Sequence, residues 1–196
     1  VNTISNIGDS IDIDKTLFIV SSKSGGTIEV DSFMRYFFNK VKESKGAEAG
    51  KQFIAITDPQ TQLESHAKEN NFRKIFINPA DIGGRYSALS YFGLVPAALI
   101  GVDINKLLKN AEKMMDSCKL SMTEKNPGAF IGAICGKLAM EGKDKITFIL
   151  PYEIHSFGFW VEQLIAESTG KEGKGIVPVE GEGIGKPSSY GRDRVM

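Results

Sequence analysis

Three short apolar runs, each followed by polar turn residues, most constrain what this chain can fold into. They are residues 16–21, 52–57 and 74–78. Continuous apolar runs of this length are typical of strands that are buried on both faces, as in a parallel sheet. Between the first two, apolar residues recur at helical spacing over residues 28–41. The pattern predicts an α/β fold: a doubly wound, mainly parallel sheet flanked by helices.

A second unit of the same kind begins after residue 123. Its predicted elements are a helix of small residues at 129–140 that packs between layers, a strand at 145–150, a helix at 157–168 and a strand at 175–179. The tail from Glu180 has no periodicity and is expected to be a loop. We therefore predict two domains, residues 1–123 and residues 124–196, of which the second is the beginning of a larger unit.

Charge and hydropathy exclude several classes of function. Lys plus Arg and Asp plus Glu are both 24, whereas a duplex-DNA-binding protein carries a basic excess. The longest apolar stretch, residues 92–102, contains Pro96 and is too short to span a bilayer. Cys118 and Cys135 lack metal-ligand spacing and are expected to be reduced core thiols. We expect a cytoplasmic protein with no nucleic-acid or membrane partner.

The first candidate site is the turn 22–27, between a predicted strand and a predicted helix. Backbone N–H groups at a helix N-terminus attract anions, and glycines allow the backbone to close around a phosphate. Ser22, Ser24 and Thr27 add hydroxyl donors, and Lys23 adds a positive charge. The order of residues matches neither a Walker loop nor a Rossmann fingerprint. The hydroxyls and glycines together favour a phosphate cradle over an ordinary strand-to-helix turn.

The second candidate is Arg85, in the glycine turn after the third predicted strand. Parallel strands present ligand sites at their carboxyl ends, so Arg85 should face the same crevice as the turn 22–27. A guanidinium group offers a fixed fork of donors to an oxyanion. The residues alone support a surface arginine equally well.

The third candidate is Glu167, near the end of the helix predicted at 157–168. The negative end of the helix dipole makes a carboxylate more basic, which suits a general base. A solvated glutamate is the simpler interpretation of the residues alone. The two histidines are isolated: His66 is predicted to face solvent on a polar helix, and His155 to lie in a turn.

Together, three segments resemble the glucose-6-phosphate isomerase family, whose domains are of the sugar isomerase (SIS) type. Residues 22–29, Ser-Lys-Ser-Gly-Gly-Thr-Ile-Glu, resemble its phosphate-binding turn. Residues 83–93, Gly-Gly-Arg-Tyr-Ser-Ala-Leu-Ser-Tyr-Phe-Gly, resemble its first signature. Residues 163–171, Gln-Leu-Ile-Ala-Glu-Ser-Thr-Gly-Lys, resemble the segment that holds its catalytic glutamate. The tail 173–179 is most similar to the isomerase part of bifunctional transaldolase/glucose-6-phosphate isomerases.

The resemblance implies an aldose–ketose isomerase of glycolysis and gluconeogenesis that interconverts glucose 6-phosphate and fructose 6-phosphate through a cis-enediolate. It implies no metal and no organic cofactor. Arg85 would stabilise the enediolate, and Glu167 would move a proton between C2 and C1. The sugar phosphate would be held by Ser22, Lys23 through its backbone, Ser24 and Thr27.

Parts of the family pattern have no match in this chain. They are a Gly-Gly-Ser turn before the first strand, the histidine that opens the sugar ring and a late lysine. We therefore expect a fragment, with the first SIS domain at 1–123 and the beginning of the second at 124–196, that is inactive alone. The family implies a homodimer for the full-length parent. The alternative is a non-catalytic SIS-type phosphosugar-binding or regulatory module, which needs neither Arg85 nor Glu167.

Overall fold

A computed structural model describes residues 2–195. The chain divides into two compact units, Val1–Leu108 and Lys109–Met196. The sequence placed the boundary between residues 123 and 124, within a polar stretch. The division into an SIS domain and the start of another stays a prediction.

Asn126 organises the polar stretch 121–126, which lies between two helices. Its side chain accepts a hydrogen bond from the amide of Ala129 at 2.9 Å and so caps the helix that follows. Its Nδ2 donates to the carbonyls of Cys118 at 2.7 Å and Leu120 at 3.0 Å. This stretch is therefore a compact turn that fastens one helix to the next.

The first unit contains a three-stranded parallel sheet in the order β1-β2-β3. The register aligns Val20 of β1 with Ala55 of β2 and Ala55 with Ile75 of β3. The elements, up to the helix that contains the boundary at residue 108, are α1 Asn2–Ser10, β1 Phe18–Ser21, α2 Ile28–Lys45, β2 Phe53–Thr57, α3 Gln62–Glu69, β3 Lys74–Ile77, α4 Tyr91–Leu99 and α5 Ile104–Cys118. The predicted α/β class and its three strands are confirmed, whereas α1 carried no signal that we recognised.

The core of this unit lies between β2 and the apolar face of α2. All five residues of β2 are buried, whereas β1 and β3 include exposed positions. The prediction of burial on both faces is right for β2 and wrong for its neighbours, because these two strands form the edges of the sheet. The Phe53 ring lies 4.9 Å from that of Phe18 and 5.2 Å from that of Phe72. Burial of each such ring contributes about 1.5–3 kcal/mol to the free energy of unfolding. The loops that follow the strands are therefore attached to a well-packed core.

The second unit contains another three-stranded parallel sheet, in the order β5-β4-β6. Beyond α5, its elements are α6 Pro127–Met140, β4 Lys145–Thr147, α7 Phe157–Thr169, β5 Val177–Val179 and β6 Arg194–Val195. The predicted order of helix, strand, helix and strand is confirmed. The strand order reverses about β4, as in doubly wound sheets.

The prediction that the tail is a loop is wrong at its end, where β6 pairs with β4. Arg194 donates from Nη1 to the Thr147 hydroxyl at 3.1 Å and forms an ion pair with Glu182. Lys145 pairs with Asp193 at 2.8 Å. These contacts join residues far apart in sequence, so periodicity alone could not find them.

Helix α6 does not pack between layers, contrary to the prediction. Within the described chain none of its residues is buried, and Ile131 is 62% exposed. Within the described residues, no further layer covers the small and apolar residues of α6.

The cysteines are not core thiols either, because Cys118 is exposed and Cys135 is half-buried. Within residues 2–195, no helix is both long and apolar enough to cross a bilayer.

Candidate functional site

The turn 22–27, which we name the anion turn, continues directly from β1. Ser22 is 6% exposed, and its amide donates to the carbonyl of Ile56 at 3.0 Å. Its hydroxyl lies 3.1 Å from the hydroxyl of Thr27, across the turn. The Gly25 amide donates to the Ser22 carbonyl at 3.3 Å, and Ser24 accepts from the Gly26 amide at 3.3 Å. The predicted hydroxyl residues are thus brought together by a single tight turn.

Gly25 fits this turn for a geometric reason. Its φ is +66°, in the left-handed region that glycine adopts without strain. A Cβ at this position would lie 2.5 Å from the Cβ of Thr61, at the start of α3. The anion turn can therefore lie against α3 only with a glycine at residue 25.

The N-terminus of α2 differs from that of α3, although a threonine precedes both helices. Thr61 caps α3, because its hydroxyl accepts from the Glu64 amide at 3.2 Å. Among the described residues, the Thr27 side chain accepts no capping hydrogen bond from α2 and pairs with Ser22 instead. The first N–H groups of a helix need an acceptor. The start of α2 is therefore suited to an anion, since these donors and the helix dipole both favour negative charge.

The side chain of Lys23 extends away from the turn. It forms an ion pair with Asp58, which directly follows β2, and donates to the carbonyl of Ala80 at 3.2 Å. The carbonyl of Lys23 accepts from the Asp58 amide at 3.2 Å. The Lys23 ammonium thus contacts Asp58 and Ala80, and the role of the Lys23 backbone in binding phosphate stays a prediction.

Arg85 lies in the loop that leaves β3 at the edge of the sheet where the anion turn leaves β1. The chain leaves β3 at the buried Asn78, whose amide donates to the carbonyl of Thr57 at 2.8 Å. It then forms a short 3-10 turn, Gly84–Leu89, in which Arg85 is half-buried. Because β1 and β3 are parallel strands of one sheet, their carboxyl ends lie at one edge.

Glu167 belongs to the second unit, in the last turn of α7 before Gly170. Its side chain is exposed, and its carbonyl accepts from the Lys171 ammonium group at 3.0 Å. Lys171 complements the negative end of the helix dipole. The predicted place at a helix end is confirmed, and the role of Glu167 as a base stays a prediction. Glu162, on the same helix, is also exposed.

A cleft of about 210 Å³ between α2 and α3 adjoins the anion turn. Its walls include the apolar residues Val20, Met34 and Leu63, the turn residues Ser22 and Thr27, and the charged or titratable residues Asp31, Arg35, His66 and Glu69. His66 does not face solvent as predicted, because its ring packs edge-on against Phe38 and Phe72, both at 5.9 Å. Burial lowers the pKa of His66, Arg35 acts in the same direction, and Asp31 and Glu69 oppose it.

The lowered pKa of His66 predicts that acid destabilises the first unit. The unfolded state takes up the proton at its ordinary pKa of about 6.5, whereas the folded state resists it. The stabilisation is therefore complete above about pH 6.5 and is lost as the pH falls through the lower pKa of the folded state. Amide hydrogen exchange in β2 should show a lower opening free energy at pH 5.5 than at pH 7.5.

The His66→Gln variant should show a smaller difference between the two pH values. His155→Gln, at an exposed position in the second unit, is the matched control and should behave as wild type. An equal pH response in wild type and His66→Gln would contradict this assignment.

The polar residues that directly follow β2 and β3 were not recognised as site candidates from the sequence. Among residues 2–195, Asp58 Oδ1 and Asn78 Oδ1 are buried without a hydrogen-bond partner. Their positions at the carboxyl ends of buried runs were the available signal, because ligand sites of parallel sheets gather there. No group of three or more His, Cys, Asp or Glu within the described residues is arranged to hold a metal ion.

A family model described as phosphoglucose isomerase matches residues 2–182, which is most of the chain. The chain belongs to the phosphoglucose isomerase family. The probable glucose-6-phosphate isomerase of Methanococcus maripaludis is 37% identical over 176 residues, which cover 89% of this chain and 39% of that protein. The glucose-6-phosphate isomerase of Bacillus anthracis is 35% identical over 162 residues, which cover 81% and 36%. The chain thus spans about two fifths of the length of these curated phosphoglucose isomerases.

Two solved structures are similar to this chain in fold. A hypothetical protein from Thermus thermophilus matches with a TM-score of 0.82 at 27% identity, over 91% of this chain and 44% of that one. A glucose-6-phosphate isomerase from Chlamydia trachomatis matches with a TM-score of 0.76 at 21% identity, over 91% and 37%. The second likeness concerns the fold alone. The resemblance to the phosphoglucose isomerase family and the α/β fold inferred from sequence are confirmed.

Proposed function

We propose that this chain is the part of a glucose-6-phosphate isomerase that holds the sugar phosphate and supplies Arg85 and Glu167. The full-length protein would interconvert glucose 6-phosphate and fructose 6-phosphate. The observation that carries the proposal is the anion turn of a family member. Its paired Ser22 and Thr27 hydroxyls lie 3.1 Å apart, where the Thr27 side chain leaves the start of α2 uncapped among the described residues.

The phosphate binds through hydroxyl and amide donors. The Ser22–Thr27 hydrogen bond holds both oxygens at the mouth of the turn. One hydroxyl donates in that bond, so the accepting hydroxyl can donate to a phosphate oxygen, and the first amides of α2 add donors along the helix dipole. The nearby carboxylate of Asp31 is paired with Arg35 at 2.6 Å, which reduces its repulsion of a dianion.

The isomerisation is a proton transfer between adjacent carbons of the open-chain sugar. The Glu167 carboxylate removes the proton on C2 of the aldose, and the C–H electron pair forms the C1–C2 double bond of an enediolate. Negative charge then develops on O1, where the guanidinium of Arg85 stabilises it. The proton then returns to C1 and the hydroxyl proton on O2 passes to O1, which leaves a hydroxyl at C1 and a carbonyl at C2, as in the ketose. A carboxylate base suffices for these proton steps.

The setting of this activity is inferred from the family. We propose that the two units belong to SIS-type domains, since each contains a parallel sheet with flanking helices. The full-length protein would act as a homodimer in the cytoplasm, in glycolysis and gluconeogenesis. A transaldolase domain fused to the isomerase is consistent with residues 173–179.

The test of the phosphate site is the double variant Ser24→Ala plus Thr27→Ala. Calorimetric titration of the chain with fructose 6-phosphate should show binding weakened by about 1–3 kcal/mol, as for lost hydrogen bonds to a charged group. Ser10→Ala plus Ser32→Ala removes two exposed hydroxyls that bond within their own helices, and should leave the affinity unchanged. Equal affinities of wild type and the Ser24/Thr27 variant would overturn the site.

A further inference from the structure

One ammonium group joins the three loops that leave the carboxyl ends of the first sheet. Lys23 lies in the anion turn after β1, Asp58 directly follows β2, and Ala80 lies in the loop after β3. The Lys23 ammonium pairs with the Asp58 carboxylate and donates to the Ala80 carbonyl at 3.2 Å. Both contacts involve residues distant in sequence, so they depend on the strand order β1-β2-β3.

Both side chains of this ion pair are more shielded than those of the Arg35–Asp31 pair on α2. The side chain of Asp58 is 13% exposed and that of Lys23 is 35% exposed. By contrast, Arg35 and Asp31 of α2 are 63% and 41% exposed. A charge-assisted hydrogen bond to a mostly buried carboxylate is stronger and better oriented than one in water. The Asp58 amide also donates to the Lys23 carbonyl at 3.2 Å, so Lys23 is held at both ends.

The contacts of Lys23 connect two loops that strand pairing does not bring together, the anion turn after β1 and the loop after β3. Because β2 lies between them, β1 and β3 are separated by two interstrand spacings, which is about 10 Å. The anion turn and the loop that leads to Arg85 therefore do not meet through strand pairing. Asp58 stands between them at the end of β2, where it directs Lys23 towards Ala80, five residues before Arg85.

We propose that Asp58 is a positioning residue that sets the separation between the phosphate site and Arg85. It holds the Lys23 ammonium, which in turn fixes the anion turn and the Arg85 loop relative to each other. This inference rests on the proposed function, because the separation matters when one sugar phosphate must reach both groups. The alternative is that the Lys23 ammonium is a potential phosphate ligand, and that its ion pair with Asp58 keeps it from binding phosphate.

The two roles predict opposite effects of Asp58→Asn. If Asp58 positions the turn, fructose 6-phosphate should bind about 10-fold to 100-fold more weakly, as for a misplaced binding group. If Asp58 merely competes for Lys23, the freed ammonium should bind phosphate and the affinity should rise. The measurement is a titration of the 196-residue chain with fructose 6-phosphate, followed by backbone amide chemical shifts. Without ligand, the variant should shift the amides of both the anion turn and residues 83–85.

Two further variants separate positioning from loss of stability. Asp14→Asn breaks another ion pair between elements, with Lys45 at 3.1 Å, before β1 begins. It should leave the affinity and the amides of residues 83–85 unchanged. Lys23→Met keeps the aliphatic stem and removes the charge. In that background Asp58→Asn should weaken binding no further, because Asp58 acts through Lys23.

The outcomes distinguish this inference from the proposed function. A wild-type chain that does not bind fructose 6-phosphate contradicts both. A wild-type chain that binds, with an Asp58→Asn variant of equal or higher affinity, contradicts the positioning role and leaves the proposed function standing. Independent, additive effects of the Lys23 and Asp58 variants would also overturn the positioning role.

Discussion

Replacing Glu167 with glutamine in the full-length protein should lower kcat by at least about 10²–10⁴-fold, the usual contribution of a general base. The amide has nearly the shape of the carboxylate and cannot accept the proton from carbon. Exchange of the C2 proton of glucose 6-phosphate with solvent deuterium should therefore be abolished. Binding of fructose 6-phosphate should persist, because the proposed phosphate site is the anion turn. Proton NMR in deuterated water measures the exchange directly.

Glu162→Gln is the matched control for this experiment. Both glutamates lie on α7 and are exposed, and five residues of an α-helix separate them by about 140° around the axis. The Glu162 variant should keep its activity. If Glu167→Gln keeps wild-type exchange, the base is another residue and the assigned mechanism is wrong. Exchange that is absent even from the wild-type full-length protein would favour the non-catalytic phosphosugar-binding module.

Strands β1 to β5 could be predicted because each lies in a short apolar run of the sequence. Residues 53–57 read as a doubly buried strand and lie at the centre of the first sheet, with all five residues buried. The same signal misjudged residues 18–21, because an apolar run does not reveal whether its strand lies at the centre or at an edge. The order of strands in a sheet depends on contacts between residues distant in sequence, so local hydropathy does not predict it.

The candidate site could be predicted only in part, for a related reason. The anion turn was recognisable since its hydroxyls and glycines lie within six consecutive residues, 22–27. The Lys23–Asp58 pair joins residues 35 positions apart and exists only because β1 and β2 are neighbours. Such a contact becomes visible when the sheet order is known. The role of Asp58 therefore follows from topology and could not be seen in the motif.

Gly25 shows that a residue of the motif can serve the fold and the ligand together. The Gly-Gly pair suggested close approach of a phosphate to the backbone. In the structure, Gly25 is also required where the turn lies against Thr61 of α3. Thr61 and Asp58 both lie in the segment that follows β2. The Gly25–Thr61 contact and the Lys23–Asp58 ion pair therefore connect the anion turn to the same segment. The turn is thus held by packing on one side and by an ion pair on another, which would preorganise it before substrate binds.

Removing the charge of Arg85 should lower kcat by about 10²–10³-fold in the full-length protein, as for the loss of one donor to a developing oxyanion. The effect on KM should be much smaller, because the charge on O1 develops only as the enediolate forms. Steady-state kinetics of Arg85→Gln measure both constants. Arg85→Lys keeps the charge without the planar fork, so it should recover part of the lost kcat.

Arg73 provides the control for this variant, because it precedes β3 whereas Arg85 follows it. Its guanidinium donates to the carbonyl of Lys51, which precedes β2, so it lies at the amino end of the sheet. Arg73→Gln should leave kcat unchanged. A variant of Arg85 that raises KM alone would make this residue a substrate-binding group, and the charge of the enediolate would then need another partner. A fall in kcat at constant KM, with partial recovery in Arg85→Lys, would show that Arg85 stabilises the charge of the enediolate. Arg85 lies in the loop whose Ala80 carbonyl accepts a hydrogen bond from Lys23.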